Sequence, residues 1–195
     1  MTRRLALFDV DGTLTRRDTM FLFLRHVLGT AGALWAVFRA SPTLVLHVLK
    51  VVDNTRAKQA LLTTAFTAVP RGALQAAART FADVVDGELR PGALAALQAH
   101  QERGDDVLLV SASLDLWLAP WAERHGLRLL ATPAGFQGDV FTGLGGPNNH
   151  GPQKAVRVRE VVDPAAYPAV VGYGDSSGDT ELLALCGEVH WRPFR

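Results

Sequence analysis

The 195-residue chain is 48% hydrophobic and 20% charged and has a formal net charge of +1. This length allows one full core, or one core with a modest insertion, and the near-neutral balance argues against a nucleic-acid partner. The single cysteine, Cys186, cannot form a disulfide within the chain, which indicates a reducing compartment. Residues 1–4 are followed by only four apolar residues before Asp9, too few for a signal peptide. We therefore expect a cytoplasmic protein.

The first predicted element is a short buried strand at residues 5–8, which ends at Asp9 and Asp11. Ligands of open parallel sheets bind beyond the carboxyl ends of the strands. Successive side chains differ in direction, so one carboxylate can attack a reacting centre while the other transfers protons. The plainer interpretations are an Asx turn and a calcium loop. The calcium loop fails, because Leu14 and Met20 stand where an EF-hand has glycine and glutamate.

The next seventy or so residues show no strand signal and predict a helical block. We expect helices at residues 19–28, 33–52, 56–68 and 72–86. Asp18 or Thr19 should cap the first helix, and Gly29 should end it. Pro42 should kink or split the second helix, and Asn54 should cap the third.

This helical block is basic and partly very apolar. Residues 16–79 carry nine basic and two acidic side chains, a local balance of +7, which either attracts anions or forms a solvated helical face. Residues 27–52 are long enough to span a bilayer, but Arg39, Pro42 and His47 interrupt the apolar run. We favour a pair of helices packed on the protein over a hairpin resting on an anionic membrane, and keep peripheral membrane contact as the alternative.

From residue 87 onward, strand and helix signals alternate. Strands are predicted at residues 107–110, 127–131, 169–173 and 188–191, and helices at 91–102, 114–125, 151–162 and 179–186. A glycine-rich stretch at residues 133–146 predicts a small antiparallel ribbon. Such alternation is typical of an α/β fold with a parallel sheet, right-handed crossovers and helices on the sheet faces.

Polar groups follow three of these buried strands. The groups are Asp9 and Asp11, then Ser111, then Asp175, and the first turn of a predicted helix adds Lys154. Because parallel strands end at one edge of the sheet, we expect these groups to meet there. Asp9 and Asp175, with the main-chain carbonyl of Asp11, form an oxygen-only set that suits Mg²⁺.

The remaining groups suit a phosphate. Ser111, the N–H groups near Ala112 and Ser113, and the Lys154 ammonium can donate hydrogen bonds to a phosphoryl group. A site for both a cation and a phosphate is suited to phosphoryl transfer. Because the sequence has no P-loop, we expect a carboxylate to attack and form an aspartyl-phosphate.

These motifs, in this order, resemble those of the haloacid dehalogenase superfamily. The matching positions are Asp9-Val10-Asp11-Gly12-Thr13, Ser111, Lys154 and residues 174–179. The helical insertion resembles the type C1 cap of subfamily IB, the phosphoserine-phosphatase-like branch. The resemblance implies a Rossmann-like core of residues 1–14 and 88–195 and a helical cap of residues 15–87. Residues 15–19 and 190–193 also resemble small bacterial phosphatases that act on phosphatidylglycerophosphate.

The resemblance also implies a role for each motif residue. Asp9 is then the nucleophile, and Asp11 is the general acid and base. The implied phosphate-binding residues are Thr13, Ser111, Ala112 and Lys154. The implied Mg²⁺-site residues are Asp9, Asp11, Asp175 and Asp179, of which Asp179 would hold either a metal-bound water or Lys154. Asp18 and Arg56 are the expected substrate contacts in the cap.

The activity implied by the resemblance is Mg²⁺-dependent hydrolysis of a small phosphorylated substrate. The aspartate two residues after the nucleophile favours a phosphatase, because the dehalogenases of the superfamily lack it. Asp18 stands where the phosphoserine enzymes have the glutamate that engages the substrate amino group, and residues 111–113 lack their glycine pair. We therefore rank an unidentified small phosphomonoester first, a phospholipid head group second and phosphoserine third. A non-catalytic phosphate-binding module is the competing class.

Overall fold

The structure is a computed structural model that describes residues 3–195. Residues 1 and 2 lie outside the described residues. They belong to the predicted core segment 1–14 and to the N-terminal stretch from which we expect a cytoplasmic protein. The strands are β1 Leu5–Phe8, β2 Asp106–Leu114, β3 Arg128–Thr132, β4 Ala134–Gln137, β5 Val140–Leu144, β6 Val170–Gly174 and β7 Glu188–Trp191. The helices are α1 Thr19–Val48, α2 Asn54–Phe66, α3 Arg71–Glu88, α4 Ala93–Glu102, α5 Asp115–Arg124, α6 Pro152–Val161 and α7 Thr180–Leu183.

The main sheet has five parallel strands in the order β3-β2-β1-β6-β7, which confirms the predicted α/β fold. β1 lies at the centre, and all four of its residues are fully buried. Its last residue, Phe8, pairs with Leu109 of β2 and Tyr173 of β6. The three strands therefore deliver the residues that follow them to the same edge. β4 and β5 form the predicted antiparallel ribbon.

β1 separates two apolar layers, as the alternation of strand side chains requires. Ala6 and Phe8 belong to the larger layer, and Leu5 and Leu7 belong to a smaller layer on the other face. The helical block closes the larger layer, where the ring of Phe23 in α1 lies 5.1 Å from that of Trp117 in α5. One apolar core thus runs from the sheet into the helical block, and the predicted division at residues 15–87 stays a prediction.

The helical block differs from its prediction in two details. α1 is interrupted at Gly29 (φ 68°, ψ 174°), where the first helix was expected to end, but it is not split at Pro42. Pro42 has no N–H to donate to the carbonyl of Phe38. Because Phe38 is exposed, water can donate a hydrogen bond to this carbonyl instead. α2 is capped by Asp53 rather than Asn54, because the Asp53 carboxylate accepts from the N–H of Arg56 at 2.7 Å.

Two elements of the α/β half have different lengths from those expected. β2 continues to Leu114 instead of ending at Ser111, so Ser111 lies within the strand. The last predicted helix, at residues 179–186, is a 3₁₀ turn at Ser177–Asp179 followed by the single helical turn of α7. At the start of the 3₁₀ turn, the Asp179 carboxylate accepts hydrogen bonds from the N–H and the hydroxyl of Ser176.

Candidate active site

A cavity of about 400 Å³ opens at the carboxyl edge of the sheet, between the sheet and the helical block. We call it the central cavity. The sheet side and α6 line it with Asp9, Asp11, Ala112, Ser113, Lys154 and Asp179. The helical block lines it with Asp18, Met20, Phe21, Leu44, His47, Asn54, Ala57, Lys58 and Leu61. The structure thus brings most of the predicted site residues to one place.

Lys154 lies at the base of the central cavity and joins two carboxylates. The first turn of α6 places it there, and it is only 2% exposed. Its Nζ donates to Asp9 Oδ1 at 2.5 Å and to Asp179 Oδ1 at 2.6 Å. Burial alone would lower the pKa of Lys154, but the two carboxylates raise it above its usual value. The ammonium therefore stays charged.

Asp9 is a buried carboxylate that Lys154 satisfies only in part. Burial raises the pKa of Asp9 to about 7, although Lys154 opposes that shift. Asp9 Oδ2 is buried and has no hydrogen-bond partner among the described residues. Such an oxygen is costly unless it meets a cation or a substrate. This unpaired oxygen makes Asp9 a good candidate for binding and chemistry.

Three of the predicted metal ligands form a compact group. One oxygen each of Asp9, Asp175 and Asp179 lies within 4.8 Å of the other two, and all three residues are buried. Hard divalent cations such as Mg²⁺ prefer carboxylate oxygens. With the unpaired Asp9 oxygen, this set fits the predicted cation. The contribution expected of Asp11 is its main-chain carbonyl, and that contribution stays a prediction.

Asp175 is held by contacts that the sequence did not reveal. The Arg195 guanidinium contacts its carboxylate, and Arg192 Nε donates to its carbonyl at 3.1 Å. Neither arginine was among the predicted site residues. Asp179 instead accepts hydrogen bonds from the N–H groups of Asp175 and Ser176. Burial would raise the pKa of Asp179, but Lys154 and these N–H groups hold it below its usual value.

Asp11 is oriented by two donors from different elements. The N–H of Thr19 donates to Asp11 Oδ1 at 2.7 Å, and Ser111 Oγ donates to Asp11 Oδ2 at 3.1 Å. Ser111 Oγ also accepts from the N–H of Ser113 at 2.9 Å. Thr13 is buried near this motif, and its hydroxyl has no partner among the described residues. Asp11 is thus fixed over the central cavity, separate from the carboxylate group around Lys154.

The predicted cap contacts are placed unequally. Asp18 is exposed overall but lines the central cavity, where desolvation by the cavity walls and then the Asp11 carboxylate raise its pKa to about 6. Arg56 is exposed and does not line the central cavity; it lines a neighbouring depression with Lys50 and His47, so its contact with substrate stays a prediction. Within the central cavity, the cation on the cap side is Lys58.

Lys58 reaches across the central cavity from α2. Its Nζ donates to the carbonyl of Ala112 and, at 3.2 Å, to Asn148 Oδ1. Burial lowers its pKa to about 8. Lys58 shares a face of α2 with Asn54 and Leu61, but helical spacing alone does not tell which face of α2 meets the cavity.

The class of protein follows from a family comparison. The profile of haloacid dehalogenase-like hydrolases matches residues 6–184, so the chain belongs to this family of hydrolases, and the prediction of an enzyme is confirmed at that level. Among curated relatives, the protein CicA of Caulobacter vibrioides is 36% identical over 201 residues, covering 98% of this chain and 86% of its own. A Streptomyces azureus protein described as an inhibition of morphological differentiation protein is 26% identical, covering 97% and 72%.

Solved structures confirm the fold. A Bordetella pertussis Tohama I protein of unknown function superposes with a TM-score of 0.83 at 26% identity, covering 97% of this chain and 89% of that one. A substrate-bound phosphoserine phosphatase superposes with a TM-score of 0.69 at 15% identity, covering 98% and 86%. At that identity the second likeness concerns the fold alone.

Proposed function

We propose that the protein is a Mg²⁺-dependent phosphomonoesterase that forms an aspartyl-phosphate on Asp9. The observation that carries this proposal is the environment of Asp9. Its carboxylate is buried at the sheet edge, with one oxygen on Lys154 and the other unpaired. A second carboxylate, Asp11, lines the same cavity but belongs to a different hydrogen-bond network. Separate environments suit a nucleophile and a proton-transfer group.

The first half-reaction transfers the phosphoryl group to the protein. A carboxylate oxygen of Asp9 attacks phosphorus, and the bond between phosphorus and the ester oxygen breaks. The carboxyl group of Asp11 gives its proton to the leaving oxygen, which departs as an alcohol. Ser111 and the Lys154 ammonium are the side-chain donors at hand for the phosphoryl oxygens. Asp11 is left as a carboxylate.

The second half-reaction returns the protein to its starting state. The Asp11 carboxylate takes a proton from a water whose oxygen attacks phosphorus. The bond between phosphorus and Asp9 then breaks, which releases inorganic phosphate and restores the Asp9 carboxylate. The hydrogen bond from the Thr19 N–H keeps Asp11 in place through both steps, whereas the single proton of the Ser111 hydroxyl turns from Asp11 to the phosphoryl group when substrate binds.

Asp9, Asp175 and Asp179 are the residues that would hold Mg²⁺. The cation, when bound, neutralises the negative charge of the carboxylates and the phosphate at close range. Lys154 and Arg195 supply two positive charges to this group, against three carboxylates and the charge of a phosphate, so negative charge remains in excess. A cation requirement follows from this charge balance.

The substrate we place first is a small phosphorylated metabolite. The volume of the central cavity suits a molecule of that size, and Asp18 and Lys58 offer one acidic and one basic contact on the cap side. We include in this proposal that residues 15–87 act as a cap that selects the substrate. A phospholipid head group is the second candidate, because Met20, Phe21 and Leu44 make one wall apolar. Phosphoserine remains third.

Hydrolysis of an aryl phosphate tests the reaction class. We expect release of phosphate with Mg²⁺, loss with EDTA and recovery when Mg²⁺ is restored. Intact Mg²⁺ binding without any turnover would favour a phosphate-binding module. Measurement of kcat/KM across sugar phosphates, nucleotides, phosphoserine and phosphatidylglycerophosphate tests the ranking. A value for phosphoserine of ~10⁴ M⁻¹s⁻¹ or more, in the range of working enzymes, would overturn it.

A further inference from the structure

The second half of α1 and the turn after it expose a continuous apolar surface. Its side chains are between 40% and 79% exposed: Leu34, Trp35, Phe38, Val45, Leu46, Val48, Leu49 and Val51. We call this set the α1 apolar face. Leu34, Phe38, Val45 and Leu49 are spaced by four or seven residues and so lie on one side of the helix. Soluble monomers rarely expose an apolar patch of this kind without a partner.

The opposite side of the same helix is covered by protein. Ala36 and Ala40 are each 3% exposed, and Val37 and Leu44 pack against the larger apolar layer. By length and composition the 30-residue α1 could cross a membrane. Lipid cannot surround a helix that is packed on one side, however, and exposed Arg39 lies within its second half. If α1 lies in the plane of a membrane surface, its apolar side can face the lipid while its other side stays packed on the protein.

Positive charge borders the α1 apolar face. Residues 19–52 contain no acidic residue, whereas Arg25, Arg39 and Lys50 are exposed within them. Lys50 and Arg56 line one depression with Val51 and Asp53 at the end of the face, so lysine and arginine outnumber the acidic residue there. Apolar side chains bordered by arginine and lysine complement the surface of an anionic bilayer.

The same charges argue against a second copy of this chain as the occupant. A two-fold interface places identical patches together, so Arg39 and Lys50 of each copy would approach cations of the other with no acid in residues 19–52 to compensate them. The nearest acid in the sequence, Asp53, is engaged as the cap of α2.

We propose that the α1 apolar face docks on bilayers that contain anionic phospholipid, with α1 lying in the interfacial plane. This proposal does not depend on the identity of the substrate. Leu44 and His47, on the same part of α1, line the central cavity. Docking would therefore bring the cavity wall formed by α1 close to the lipid surface.

Flotation of the full chain with vesicles tests the proposal. We expect binding to vesicles of phosphatidylcholine with phosphatidylglycerol, and much weaker binding to phosphatidylcholine alone. Phe38→Ser with Leu49→Ser should lower the partition coefficient at least about tenfold, because two large apolar groups no longer leave water. Arg39→Gln with Lys50→Gln should lower it by roughly fivefold per charge and remove the preference for phosphatidylglycerol.

The matched control is Val156→Ser with Val161→Ser on α6, which removes two apolar side chains that are 44% and 43% exposed. It should bind vesicles like the wild type. Aryl phosphate hydrolysis, expected to be unchanged in every variant, verifies folding. If a double variant fails to fold, the tryptophan fluorescence of Trp191→Phe gives a second readout. Trp35 is the one exposed tryptophan of that variant, since Trp117 and Trp121 are fully buried, so its emission should shift to shorter wavelength with anionic vesicles.

Three results would overturn the proposal. The first is the absence of binding to anionic vesicles by the wild type. The second is an equal loss of binding in the α6 control. The third is a dimer in sedimentation experiments that Phe38→Ser with Leu49→Ser converts to monomers, since the face would then be an interface between copies.

Discussion

Gly12 lies directly against the carboxylate of Asp175. A Cβ atom built on Gly12 would lie 2.6 Å from Asp175 Oδ2, and the backbone of Gly12 has a φ of +85°. Gly12 turns the chain after β1, and because it has no side chain it also leaves space for Asp175, the candidate metal ligand that follows β6. We therefore treat Gly12 as a residue that positions Asp175.

Gly12→Ala should lower the affinity of the protein for Mg²⁺. The new methyl group displaces the Asp175 carboxylate, so we expect the Mg²⁺ concentration for half-maximal activity to rise about tenfold or more. The positive φ adds a destabilisation of ~1–2 kcal/mol. Gly104→Ala is the matched control, because Gly104 has a φ of +73° and no atom within 4 Å of its added Cβ. It should lose similar stability and keep the Mg²⁺ titration of the wild type.

Asp9→Asn and Asp11→Asn should fail at different steps. An amide at residue 9 cannot attack phosphorus, so turnover should fall more than about a thousandfold, or ~4 kcal/mol in barrier height. Asp11→Asn should slow turnover by ~10²–10⁴ and accumulate phosphoenzyme, because no group activates the water. Rapid quench with a radiolabelled phosphate substrate, followed by acid precipitation, measures the phosphoenzyme. Residual activity of Asp9→Asn above that thousandth would mean that another group is the nucleophile.

Lys58, and not Arg56, should control substrate affinity. Lys58→Gln removes a cation from the central cavity, so KM should rise about tenfold while kcat changes less. The pKa of Lys58 is about 8, so the side chain loses its charge as the pH rises through 8. The KM of the wild type should therefore also rise there. Lys58→Arg should keep a low KM to higher pH, since arginine stays charged there. Arg56→Gln is the control, and an equal effect of that variant would contradict the placement.

Asp105 should make stability depend on acid pH. Burial would raise its pKa, but hydrogen bonds from His100, Arg4 and Arg103 hold it at about 2, below the usual 3.8. A depressed folded-state pKa stabilises the protein above about pH 4, and this contribution of ~2 kcal/mol is lost as pH falls from about 4 to about 2. Urea unfolding of Asp105→Asn across this range should show a flatter pH profile. Asp83→Asn, at an exposed aspartate, should keep the wild-type slope.

The parallel sheet follows from the sequence, and so does the meeting of its polar groups at one edge. A strand buried on both faces must be a continuous apolar run, so β1, the first part of β2 and β6 were visible without tertiary information. Parallel pairing then requires that Asp9, Ser111 and Asp175 reach one edge. The roles assigned to these residues stay predictions, which the Asp9→Asn and Asp11→Asn variants test.

Only the tertiary structure decided which side chains complete the central cavity. Arg56 and Lys58 are two residues apart on α2 and look alike in sequence, but the packing of α2 aims Lys58 at Ala112 and leaves Arg56 exposed. Arg195 reaches Asp175 across 20 residues of chain, a contact that no local pattern encodes. The exposure of the α1 apolar face was equally hidden, because an apolar helix is buried or exposed according to what packs on it, and here α2 and the core cover only one side.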